Sequence, residues 1–196
     1  MVDKGEVPVS DLDPEKMYGS RILRMLGVNE EASIEVNHPW YRGGAETYVS
    51  DFYLSRDNTR QHLIAKACIK FAPSETMAEW LERRKALSEN GILLPELVVV
   101  DGATIVEEYI DFSFREAYES TSDVDVRAEL HARYIDTFKR IVGAGFAPMS
   151  LSDVRSHGED VVLIDVGEDI GGQSSITSCR LDVANTAESH FSSLIR

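Results

Sequence analysis

Between Ala32 and Phe71 three strand-like stretches follow one another with only short links between them, and that run limits the architectures open to the chain. The first is Ala32-Ser-Ile-Glu-Val36, the second Thr47-Tyr-Val-Ser-Asp-Phe-Tyr-Leu54. The third is His62-Leu-Ile-Ala-Lys-Ala-Cys-Ile-Lys-Phe71, apolar enough to be buried on at least one face. His38-Pro-Trp-Tyr-Arg-Gly-Gly-Ala-Glu46 links the first pair, and Arg56-Asp-Asn-Thr-Arg60 the second. Short successive strands with polar turns predict an antiparallel meander.

The flanking segments read differently. Residues 1–12 read as a loose arm, followed by a helix that Asp13-Pro-Glu15 starts and Gly27 stops, with Met17, Ile22, Leu23 and Leu26 as its apolar positions. After the meander, Pro73-Ser74 opens a helix that Gly91 closes, Ser74 serving as cap. Leu94 to Val100 is then a strand, Asp101-Gly102 a tight turn and Thr104 to Ile110 the hairpin partner. Phe112 to about Ser120 is a short helix or loop. A long helix carries Val126, Leu130, Tyr134, Phe138, Ile141 and Val142 on one face and ends at Gly143. A strand pair around Gly158, a Gly171-Gly172 stretch and a final helix near Phe191 to Leu194 complete the chain. Strands and helices are segregated, which predicts an α+β architecture with two lobes.

Composition narrows the function classes. The 196 residues are 43% hydrophobic, enough for a real core. No run of about 18 apolar residues is present to cross a bilayer, and Met1-Val-Asp-Lys-Gly-Glu6 lacks the apolar centre of a secretion signal. Cys68 and Cys179 have neither disulfide-framework nor metal-type spacing, so a reduced, cytoplasmic setting is expected. The net charge of −14 argues against nucleic acid as a partner, because phosphate backbones need clustered cations. Arg outnumbers Lys by 14 to 6; a lysine-poor acidic surface suits high salt, and suits an ordinary acidic cytoplasmic protein equally.

Several residues stand out chemically. Gly43-Gly44 lets backbone amides approach an anion, and also fits a plain hairpin turn. Lys66, in Ile64-Ala-Lys-Ala-Cys68, is a cation among apolar neighbours and must reach a partner or snorkel out; Lys70 has the same strand parity. Met77-Ala-Glu-Trp-Leu-Glu-Arg-Arg-Lys-Ala-Leu87 offers Glu79 and Glu82. Leu87-Ser-Glu-Asn-Gly-Ile-Leu-Leu-Pro95 leads to Ile105-Val-Glu-Glu-Tyr-Ile110. Asp165 ends the apolar run Val161-Val-Leu-Ile164 and is followed by Val166-Gly167, and an aspartate there suits a divalent cation.

This order of elements and motifs resembles the protein-kinase-like superfamily, especially its small aminoglycoside-phosphotransferase-like and atypical bacterial or archaeal serine/threonine kinase branches. The resemblance runs from about Ala32 to Gly172. It implies a minimal two-lobed kinase-like fold: an N-terminal arm and helix over 1–31, an N-lobe with an antiparallel sheet over 32–110, and a reduced helical C-lobe over 111–196. It implies ATP and Mg²⁺ or Mn²⁺ as cofactors, and transfer of the γ-phosphate to a hydroxyl of a protein or small molecule. Gly43 and Gly44 would cover the phosphates and Lys66 bind them, with Glu79 as the lysine's partner. Backbone near Glu107, Glu108 and Tyr109 would hold the adenine. Asp165 would bind the metal, with His157 as a further polar ligand and Asp169 as a second ligand or a helix cap. The usual His-x-Asp-x-x-x-x-Asn loop is absent. Asp153, in Ser152-Asp-Val-Arg155, is the candidate to orient the acceptor hydroxyl. That departure keeps open a pseudokinase-like module that binds nucleotide or a partner without turnover.

Overall fold

A computed structural model describes residues 23–27, 32–42, 47–68, 76–101, 104–146, 154–158, 160–166 and 182–196. The chain is mixed α+β, with two antiparallel sheets and four helices of two turns or more among the described residues. It divides into two compact units, Met1–Met77 with Glu96–Tyr109, and Ala78–Pro95 with Ile110–Arg196.

The first unit is a five-stranded antiparallel sheet. Its strands are β1 (Ser33–Arg42), β2 (Thr47–Arg56), β3 (Thr59–Cys68), β4 (Leu97–Asp101) and β5 (Thr104–Glu108), in the spatial order β1-β2-β3-β5-β4. The β2–β3 ladder runs unbroken from Thr47↔Cys68 to Arg56↔Thr59. Asp57 and Asn58 close it with φ of 51° and 62°, the positive pair that matches strand twist in a two-residue hairpin. Because side chains alternate, Phe52, Leu54, Leu63, Ala65 and Val106 fall on one face and form the core, with Met25, Leu26, Ala32, Ile34 and Val99 packed against them. The sequence places a link from His38 onward, whereas β1 continues to Arg42. It does so as the edge strand, the position in a sheet that admits a proline such as Pro39.

The second unit holds α1 (Met77–Glu89), α2 (Phe114–Ser120), α3 (Val124–Gly143) and α4 (Val183–Leu194). A small sheet of β6 (Phe112–Ser113), β7 (Val154–His157) and β8 (Asp160–Leu163) accompanies them. Ser113 and Glu116 cap α2 reciprocally, each side chain satisfying the other's amide. Asp123 caps α3 by accepting from the amides of Asp125 and Val126. The buried stripe Leu130, Tyr134, Phe138, Ile141 and Val142 keeps helical spacing along α3. Phe191 of α4 meets Phe114, Tyr118 and Tyr134 with ring centroids 5.2–6.2 Å apart, an aromatic core at edge-on angles. After α1, Gly91 takes φ 74° and the chain reaches β8, where Leu163 N donates to Leu93 O at 3.0 Å.

Candidate functional site

On the sheet face opposite the first unit's core, register sets the polar side chains beside one another. Ile64 pairs with Glu107 and Lys66 with Ile105, so Lys66 and Glu107 are diagonal neighbours on that face. Their charged atoms lie 2.5 Å apart, with Lys66 17% and Glu107 1% exposed. A carboxylate so deeply buried needs a cation, and the lysine supplies one.

The backbone next to Glu107 is committed to the sheet. Glu108 N donates to Glu96 O at 2.9 Å, and Tyr109 N to His62 O at 3.0 Å. Two of the backbone groups in the stretch that the kinase resemblance assigns to an adenine edge, both amides, therefore already have acceptors. The Tyr109 ring lies against the His62 ring, centroids 4.0 Å apart.

A second polar group on this face was not singled out in the sequence. Asp51, 1% exposed, accepts from Asn37 Nδ2 at 2.7 Å, His38 Nδ1 at 2.8 Å and His62 Nε2 at 2.8 Å. Burial pushes its carboxyl up, but hydrogen bonds from His62, Asn37 and His38, with the charge of His38, outweigh that and hold it below the ordinary value of 3.8. His62 is sandwiched by Tyr109 and Tyr53, the latter ring 4.3 Å away, and the Arg60 guanidinium covers Tyr53 at 4.0 Å. One signal was present in the sequence. A carboxylate in Val49-Ser-Asp-Phe-Tyr-Leu54 is as anomalous in a strand as Lys66 is in its own. The two histidines that meet it belong to different strands, and composition does not give register.

The second unit holds the remaining described candidates. Asp165 follows β8 by two residues and is exposed, while Val166 beside it is buried and its carbonyl accepts from Arg83 Nη1 at 2.8 Å. An exposed carboxylate is a hard oxygen donor and fits Mg²⁺ or Mn²⁺ by type. His157 pairs with Asp160 at the turn end of the β7–β8 hairpin, whereas Val154 pairs with Leu163 at the other. Three strand steps, roughly 10 Å, separate those ends, so the hairpin does not bring His157 to Asp165. Among the described residues no group of three or more His, Cys, Asp or Glu side chains converges as a metal site. Glu79 and Glu82 are both exposed on α1. Gly43, Gly44, Lys70, Asp153 and Asp169 lie outside the described residues. Val154, the residue after Asp153, pairs with Leu163, two before Asp165. No described helix is long and apolar enough to cross a membrane. No family model and no curated protein matches the chain.

Proposed function

We propose that the chain is a minimal protein-kinase-like phosphotransferase of the cytoplasm, acting on a hydroxyl of a protein or small molecule. One observation carries the reading: Lys66 sits in the central strand β3, tethered by the buried carboxylate of Glu107. The order of three strands, a helix and two strands, followed by helices and a β-hairpin that runs into Asp165, supports it. ATP with Mg²⁺ or Mn²⁺ would supply the transferable phosphoryl group and the charge that offsets its oxygens. Lys66 donates to phosphate oxygens, and Gly43 and Gly44 give backbone amides to them. Asp165 holds the cation, and Asp153 orients the acceptor hydroxyl. The phosphate end of this reading fits the residues present better than the adenine end, where the Glu108 and Tyr109 amides are already bonded.

That mismatch favours one second reading, a module that binds nucleotide or a partner without turnover. Thermal melts with and without ATP and Mg²⁺ separate the possibilities. A ligand that binds only the folded state at about 100 times its Kd stabilises it by ~2.7 kcal/mol. The expected result is a rise in melting temperature that Lys66→Ala and Asp165→Ala remove, together with ADP release that Asp153→Ala abolishes. A rise without ADP release selects the second reading, and no rise at all defeats both.

A further inference from the structure

The contacts of Asp51 depend on an irregularity in the edge strand. Between Val36 and His38 strand β1 advances two residues, while β2 advances one, from Phe52 to Asp51. This is a β-bulge, and it aims two consecutive side chains, Asn37 and His38, at one carboxylate. Regular alternation would send them to opposite faces. Bulges recur beside active sites because they re-aim side chains in this way. The buried Ser50 hydroxyl donates to His38 O at 2.5 Å and pins the bulged backbone.

An ionised carboxylate only accepts, so each imidazole nitrogen facing Asp51 carries a proton. In the neutral ring, a proton on Nδ1 leaves the lone pair on Nε2, the nitrogen that does not face Asp51. The two histidines then differ in access. The His62 side chain is 14% exposed and clamped between tyrosine rings, which makes it an anchor, whereas His38 is 61% exposed. A buried aspartate on Nδ1 of a largely exposed imidazole is the arrangement in which Nε2 takes a proton from a hydroxyl, while the carboxylate orients the ring and stabilises the imidazolium.

We propose that His38 and Asp51 form a proton-accepting dyad, with Nε2 of His38 as the acting atom and a hydroxyl or water as its substrate group. In the step, the O–H bond breaks, the proton moves to Nε2, and the oxygen bonds to an electrophilic carbon or phosphorus whose leaving group departs with its electron pair. The Nδ1 proton stays on the ring, and Nε2 later releases its proton to solvent. The dyad needs no nucleotide, so it stands or falls separately from the kinase-like reading.

Hydrolysis of p-nitrophenyl acetate by the full chain, without nucleotide or metal, is the test. Water attacks the ester carbonyl, its proton passes to His38 and p-nitrophenolate leaves. The expected result is a rate above buffer that is slower in D₂O and falls about ten-fold or more in His38→Ala. His131→Ala, which removes a histidine of the second unit that is also paired with a carboxylate, Glu188, leaves it unchanged. Asp51→Asn, with its fold checked by circular dichroism, lowers the rate and shifts the His38 ¹⁵N resonances away from the Nδ1–H tautomer. His38 is exposed, so its alanine variant remains decisive if the Asp51 variant does not fold. A rate retained in His38→Ala overturns the proposal. So does an insensitivity to D₂O with acetyl-His38 accumulating, which makes the ring a nucleophile instead of a base.

Discussion

Asp51 keeps its charge in a nearly closed site because three donors face it, and this ties its contribution to pH in one direction. Its folded carboxyl titrates below the unfolded value near 3.8. The stabilisation is therefore complete above that value and is lost as pH falls through the lower, folded one. Urea melts should show a stability gap between the wild type and Asp51→Asn that is widest near neutrality and narrows below about pH 4. A gap that widens with acid would reverse the sign of the argument. Lys66 and Glu107 make a different case, since burying an ion pair costs desolvation whether or not the pair is useful. Lys66→Ala should cost about 3–5 kcal/mol because it strips the ammonium from a buried carboxylate. The double variant Lys66→Met/Glu107→Leu should recover most of that loss. A double-mutant cycle in urea measures the difference.

At the scale of elements, the β2–β3 hairpin rests on two residues with positive φ, and asparagine is one of the few non-glycine types at ease there. Asn58→Ala should cost about 1–2 kcal/mol, and Asn58→Gly should stay within about 0.5 kcal/mol of wild type, both read from denaturant midpoints. The polar stretch Arg56 to Arg60 declared this turn in the sequence, and the apolar stripe of α3 declared that helix. Two boundaries were less legible. Helix α3 does end at Gly143, but the residue that reverses the chain is Gly145, at φ 93°. Strand β1 runs past His38 because an edge strand tolerates both proline and a bulge. That extension places His38 opposite Asp51 instead of in a loop.

For the whole molecule, net charge is the dominant electrostatic fact. At −14 the folded chain repels itself, while several of its arginine–carboxylate pairs lie on the surface. Arg133 with Glu129 and Asp160, Arg115 with Glu119, and Arg140 with Asp136 are such pairs, and each surface pair contributes roughly 0–1 kcal/mol. Salt weakens both terms, and relief of the repulsion should win. Melting temperature is therefore expected to rise as NaCl goes from about 0.01 M to about 0.5 M, where the Debye length contracts from about 30 Å to a few ångströms. A fall over that range would mean that the pairs contribute more than their exposure implies. Calorimetry at several salt concentrations decides it.

The sequence by itself determined the α+β class, the antiparallel meander and the odd charges at Lys66 and Asp165, because alternation, helical spacing and a charge inside an apolar run are local properties of the chain. Tertiary structure decided what those charges meet. Pairing register put Glu107 beside Lys66, and a one-residue bulge turned Asn37 and His38 onto Asp51. Register follows from how strands pair across the sheet, and a slip of one residue sends every side chain to the other face. The contacts of Asp51 and Lys66 thus exist only in the assembled sheet, while the residues that make them were visible from the start.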